Sequence, residues 1–295
     1  MEDLKVSYMS KDELTCPVCE THFRREELLS GGGRLIAGNM TDELHRLYEP
    51  SAKYGNVYPL IYQATVCPGC WYASMEKDFL LLPNSAKETA FLDTEKRKAA
   101  ISIIFPKLNF RINRNLASGA ASQYLTLVCY DYFTNQSAPA VKQGISALRA
   151  AWIFDELHKK HDDENYDQLA VWFRTKAYFF YTEALYREQK GIESLGEAKY
   201  LGPDTDKNFG YEGVLYLSAL LSLRYGPTEN TPYRKEYLDR AKRTVAKMVG
   251  LGKASKAKPG PLIEHARKTY EEIGKELKVI NEELGTTSSN DDEDE

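Results

Sequence analysis

Thr15-Cys16-Pro17-Val18-Cys19-Glu20 and Val66-Cys67-Pro68-Gly69-Cys70-Trp71 are two copies of one short pattern, and their reading decides the fold. A C-x-x-C turn brings two sulfurs to one side of a tight loop. Two such loops facing each other supply four soft ligands for a tetrahedral ion. Pro17 and Pro68 preset φ to about −65° directly after the first cysteine of each pair. Gly69 accepts a positive φ without a Cβ penalty. Because 47 residues separate Cys19 from Cys67, more than in a minimal zinc ribbon, the segment between them must carry structure of its own. Cys16, Cys19, Cys67 and Cys70 are thus the candidate ligands of one structural Zn2+. Four thiolates close the coordination sphere and leave no position for water.

The rival reading is thiol redox chemistry. Val57 to Val66 (VYPLIYQATV) is rich in β-branched and aromatic residues and reads as a strand running straight into the second pair. Trp71 to Leu82 can then open a helix, and a C-P-x-C at a helix N-terminus has a lowered thiol pKa. Such a fold uses one active pair and leaves the other unexplained. His22, three residues after Cys19, is a surface or neighbouring residue in preference to a ligand. Cys129 shares a helical face with Ala121, Tyr124, Leu125, Val128 and Tyr132 and reads as a small buried hydrophobe.

The chain of 295 residues is long enough for about two domains. Residues 1–93 form a zinc-knuckle unit that includes Gly31-Gly32-Gly33 and a short helix expected from Thr41 to Tyr48. From about Thr94 the apolar period becomes 3.6, and helices are expected over 94–105, 115–133, 140–160, 166–189, 209–225 and 233–249. A last helix after Pro259-Gly260-Pro261 carries an a/d seam of Ile263, Ala266, Tyr270, Ile273, Leu277, Ile280 and Leu284. Only three heptads are present, so it reads as capping its own neighbours. Small residues at Ala147, Ala151, Ala177, Ala184, Ala219 and Ala241 suggest tetratricopeptide-like helix pairs over 94–285, and residues 286–295 read as an acidic disordered tail. The expected class is therefore mainly α: a small zinc-ribbon-like, β-containing N-terminal unit followed by a tetratricopeptide-like helical repeat domain.

Lys and Arg number 39 against 43 Asp and Glu, which disfavours a strongly basic nucleic-acid protein. Residues 1–93 hold nine Lys/Arg and fourteen Asp/Glu, so the knuckle unit is acidic. Nine Lys/Arg crowd Tyr233 to Lys258, and Asp291 to Glu295 are all acidic. A solvated helix face and a solubilising tail account for this; the sharper alternative is a tail that screens the basic face from an anionic partner. The longest apolar stretch, Val214 to Leu223, is too short to cross a bilayer. The polar start Met1-Glu2-Asp3-Leu4-Lys5 carries no secretory pattern, so a cytoplasmic protein with reduced thiols is expected.

These residues resemble a bacterial family named only as domain of unknown function 2225. The resemblance rests on Cys16-Pro17-Val18-Cys19 with Phe23, on Tyr58 and Tyr62, on Cys67-Pro68-Gly69-Cys70-Trp71-Tyr72-Ala73, and on Glu76-Lys77-Asp78-Phe79. It extends to Ala147-Leu148-Arg149-Ala150-Ala151-Trp152 and to Ser255-Lys256-Ala257-Lys258-Pro259. It implies a zinc-binding module joined to tetratricopeptide-like helices, and no activity. Where the family usually has Gly after each second cysteine, this chain has Glu20 and Trp71. No G-x-S-x-G, H-E-x-x-H, Walker loop or G-x-G-x-x-G is present, and His158 and His161 read as a helix end in solvent. The expected function is a non-enzymatic scaffold or adaptor binding a protein or peptide partner through its helices. The alternatives are a nucleic-acid-binding zinc ribbon, with Tyr62, Trp71 and Tyr72 stacking on bases, and a C-P-x-C thiol oxidoreductase.

Overall fold

The computed structural model describes residues 5–229, 231–249 and 260–285. The fold is mainly α, with small antiparallel strand pairs toward the N-terminus and helices after them. β1 (Ser7–Thr15) pairs with β2 (His22–Leu28), β3 (Ile36–Met40) with β4 (Arg46–Glu49), and β5 (Ala64–Val66) with β6 (Ala73–Met75). Helices α1 (Lys87–Leu92), α2 (Thr94–Ile104), α3 (Leu116–Cys129), α4 (Pro139–His158) and α5 (Tyr166–Gln189) complete the first compact unit, Met1–Asn208. The second unit, Phe209–Glu295, holds α6 (Gly210–Tyr225), α7 (Thr231–Val249) and α8 (Gly260–Glu283).

The compact units therefore divide after Asn208, not between 93 and 94 where the apolar period changes. Cys16, Cys67, Tyr72 and Phe79 on one side of that point share a core with Cys129, Tyr130 and Phe133 on the other. Two layers that bury their apolar faces against each other make one unit, whatever their secondary structure. The acidic stretch 286–295 and Lys253, Lys256 and Lys258 lie outside the described residues.

The helices expected from the 3.6-residue period form where they were placed. Asn115 opens α3 with a capping box: its side chain accepts from Ser118 N–H while the Ser118 hydroxyl accepts from Asn115 N–H. α4 is buried on all sides from Pro139 to Phe154 and forms the centre of its unit. It packs along α5, and Gly144 makes the close approach possible: a Cβ there would stand 3.0 Å from the Tyr181 ring. In the second unit, Leu262, Ile263, Ala266, Ile273, Leu277 and Ile280 of α8 are buried, and α8 packs on α6 and α7, so the expected seam faces neighbours in its own unit.

Two local expectations differ from the structure. Thr41 to Tyr48 is the turn and second strand of a hairpin, with Leu44 at φ 62°. The buried Asp204 carboxylate accepts from Arg46 N–H at 2.8 Å and from His45 Nδ1 at 2.5 Å, a distant anchor that outweighs a local cap. Val57 to Val66 is a strand only over Ala64–Val66; Pro59 opens a 3₁₀ turn over Pro59–Tyr62 that lies against α3.

Candidate metal centre

Each cysteine pair sits in the turn of a hairpin: Cys16 and Cys19 between β1 and β2, Cys67 and Cys70 between β5 and β6. The two turns share one backbone. Cys16 N–H bonds Thr21 O at 3.0 Å and Cys67 N–H bonds Tyr72 O at 2.9 Å; Glu20 N–H returns to Cys16 O and Trp71 N–H to Cys67 O. Val18 N–H points at Cys16 Sγ and Gly69 N–H at Cys67 Sγ, both at 3.4 Å. Glu20 and Trp71 stand at φ 59° and 58°. The geometry that glycine would give freely is thus kept without glycine, at a cost of roughly 1–2 kcal/mol per residue.

The turns face each other. All four Sγ atoms lie within 4.8 Å of one another, with Cys16 to Cys70 at 3.7 Å and Cys19 to Cys67 at 3.5 Å. A tetrahedron with metal–sulfur bonds of about 2.3 Å has edges of about 3.8 Å, whereas a disulfide is about 2.05 Å. All the cysteines are free thiols, and the four sulfurs are close enough to hold one metal ion. Four thiols so close cannot all ionise without a cation. Contact with Cys67 raises Cys16 to about 12, and contact with Cys16 and Cys67, then burial, drives Cys70 higher still.

The second turn is bound into the helices. Arg97 of α2, buried, donates from Nη2 to Cys70 O and from Nη1 to the Tyr132 hydroxyl, each at 3.0 Å. Among the described residues no carboxylate pairs with it directly; Asp93 reaches it through the Tyr132 hydroxyl, at 2.7 Å. Met75 N–H bonds the Tyr130 hydroxyl, which donates to Asp78 at 2.6 Å, and Lys142 of α4 meets the same carboxylate at 2.7 Å. Cys129 lies fully buried behind the sulfurs, as expected, and burial raises its thiol to about 11. His22 is exposed beside Thr15, away from the ligand set. Among the described residues no other group of three or more His, Cys, Asp or Glu donors converges in this way, and His158 and His161 join none. No helix opens behind Cys70: residues 73–75 are a strand and Glu76–Leu81 a 3₁₀ turn, so the thiol-activating helix N-terminus of the redox reading does not form.

The pattern of a family described as an uncharacterized protein conserved in bacteria (DUF2225) matches residues 9–273. The chain belongs to this family. An uncharacterized protein of Borreliella burgdorferi is 40% identical over 276 residues, covering 94% of this chain and 99% of that one. No solved structure matches the chain. The match to the family spans both cysteine turns and all five helices of the first unit. Among the described residues no helix is long and apolar enough to cross a membrane.

The sequence reading missed two features of the first unit. Trp172, Phe179 and Tyr186 lie seven residues apart on the outer face of α5, at 44%, 55% and 48% exposure. On the apolar period α5 shows a face of Leu169, Phe173, Ala177, Phe180, Ala184 and Tyr181, of which Phe173, Ala177, Tyr181 and Ala184 are buried; the exposed row is marked only by its seven-residue recurrence. The second is Arg149, whose only signal in the sequence is a charged residue between Leu148 and Ala150 in an alanine-rich helix.

Proposed function

We propose that Cys16, Cys19, Cys67 and Cys70 hold one structural Zn2+, and that the protein is a non-enzymatic scaffold whose helices bind a protein partner. Zinc suits four thiolates in a closed tetrahedron, and the sphere offers no open position for a substrate. A tetrathiolate zinc centre carries a net negative charge, and the buried guanidinium of Arg97 beside Cys70, which forms no ion pair among the described residues, is a fitting counter-charge. The ion would tie the β1–β2 and β5–β6 hairpins together and so fix the N-terminal strands onto α3. Free thiols suit a reducing compartment such as the cytoplasm.

The adaptor reading is carried by the α5 stripe. Large aromatic side chains exposed in a row mark interaction surfaces, since each leaves apolar area in water that a partner can cover. Lys176 Nζ lies 5.0 Å from the Trp172 ring centre and Lys190 Nζ 5.8 Å from that of Tyr186, and no carboxylate pairs with either among the described residues. The partner segment is thus an amphipathic one with apolar anchors seven residues apart and acidic residues beside them. The hairpins α4–α5 and α6–α7 support a tetratricopeptide-like relationship.

Metal analysis of the purified chain together with site-specific photo-crosslinking tests both parts. One zinc per chain is expected. A benzophenone at position 179 is expected to capture a defined protein that then binds the purified chain in reconstitution. Trp172→Ser with Phe179→Ser is expected to abolish that binding at unchanged zinc content. Equal crosslinking from an exposed position on another face, or undiminished binding by the double variant, overturns the adaptor reading; absence of zinc overturns the metal assignment.

A further inference from the structure

α4 is buried along nearly its whole length, and within its fully buried stretch, Pro139 to Phe154, the polar side chains are matched by partners except at Arg149. Lys142 Nζ meets Asp78, Gln143 donates to Leu127 O and Asp131, and Ser146 donates to Lys142 O at 2.8 Å. Arg149, only 5% exposed, uses Nε alone, on Pro203 O at 2.7 Å. Among the described residues its two Nη atoms have no hydrogen-bond partner and no carboxylate forms an ion pair with it. Asp204 acts on it from a distance, but that carboxylate already accepts from His45, Arg46 N–H and Thr205 N–H. Four of the five guanidinium N–H groups of a largely buried side chain thus have no protein acceptor.

Arg149 lines a cavity of about 500 Å³ with Lys142, Gln63, Ser137, Tyr200 and Thr205, within the range of small-molecule sites. None of the four cysteines lines it. Lys77 and Lys199 add positive charge to the wall; Glu76 is engaged by Arg25 at 2.7 Å, Asp78 by Lys142, and Glu197 is exposed. Lys199 stands at φ 58°, a conformation that L-residues hold at a cost and that concentrates at binding sites.

We propose that this cavity binds a small anionic molecule whose carboxylate or phosphate group is held by the free Nη edge of Arg149. The planar fork of a guanidinium matches both groups in a two-bond arrangement that an ammonium cannot copy. The anion supplies the missing counter-charge and the missing acceptors at once. The site is independent of the metal centre and of the α5 stripe, and it stands or falls without them.

Equilibrium dialysis of the full-length chain, loaded as purified, tests it with two radiolabelled probes, inorganic phosphate and succinate, at constant ionic strength. One of them is expected to bind at one per chain with a dissociation constant of about 1 mM or tighter. Phosphate alone points to a phosphorylated ligand, succinate alone to a carboxylic acid; both outcomes support the site. Arg149→Met is expected to abolish saturable binding. Arg149→Lys keeps the charge without the fork, so it is expected to bind at least about tenfold more weakly. It provides the comparison should Arg149→Met fail to fold. No saturable binding of either probe to the native chain, or equal binding by the native chain and a folded Arg149 variant, overturns the proposal.

Discussion

The two cysteine turns have one backbone and opposite surroundings. Cys16 and Cys19 close a long hairpin whose strands are largely exposed, while Cys67 and Cys70 close a three-residue pair whose strands are almost wholly buried on α3. Tyr72 and Ala73 after the second turn are fully buried; Thr21 and His22, which take the same places after the first, are half-buried and exposed. The first turn is therefore held by the sulfurs it contributes and by a few side-chain contacts, Phe23 on Phe79 and Arg25 on Glu76, the second by the sulfurs and by the helices behind it. A metal in such a place acts less as a folding nucleus for its surroundings than as a rivet joining a loose part to a packed one.

That asymmetry can be broken most severely at the ligands. Structural zinc contributes roughly 10–16 kcal/mol of apparent binding energy, so Cys19→Ser and Cys70→Ser are both expected to lose zinc. In both, the β1–β2 hairpin is expected to loosen while β5–β6, buried on α3, stays folded. Zinc content and hydrogen exchange of β1–β2 against α3 check this; equal loss of protection in the two elements removes the distinction.

Arg97→Met removes the donor to Cys70 O and the buried cation next to the sulfurs, with no counterpart at the first turn. A charged hydrogen bond in the interior suggests a stability loss of about 2 kcal/mol, and loss of an outer partner about a tenfold drop in metal affinity. Chelator competition and urea unfolding measure the two separately. Gly69→Ala comes next: the added Cβ would stand 2.5 Å from Thr21 Oγ1 and 3.4 Å from Cys19 Sγ. It is expected to cost about 1–3 kcal/mol. Val18→Ala, at the same place in the first turn, is expected to cost less than half as much in the same unfolding assay.

The β3–β4 hairpin offers a third case, pinned by a carboxylate and not by sulfur. Burial alone would raise Asp204, but hydrogen bonds from His45, Arg46 N–H and Thr205 N–H outweigh it and hold the carboxyl below its usual range. A carboxyl lowered on folding adds stability above the ordinary Asp pKa of about 3.9, and that stability is lost as pH falls through the folded value. Asp204→Asn is expected to lower stability near neutral pH and to flatten the acid limb of the stability–pH curve, leaving zinc content unchanged. The smallest expected effect is Glu20→Gly, which relieves the φ of 59° and stabilises by about 1 kcal/mol or less. Trp71→Gly relieves the same strain but loses the edge contact with Phe110 at 5.4 Å, so thermal unfolding is expected to show no gain.

The amino-acid sequence alone determined the four-cysteine cluster and the helices. Both are written in short range: two cysteines across one turn, and apolar residues every three to four positions. It did not determine that Thr41 to Tyr48 would be a hairpin, because the deciding anchor, Asp204, lies far along the chain. It did not place the division after Asn208, because shared burial and not local period defines a unit. The idle guanidinium of Arg149 and the row of Trp172, Phe179 and Tyr186 were equally silent in one dimension. Whether a charge has a partner, or a ring a cover, depends on what else has folded against it, and only the tertiary structure decides that.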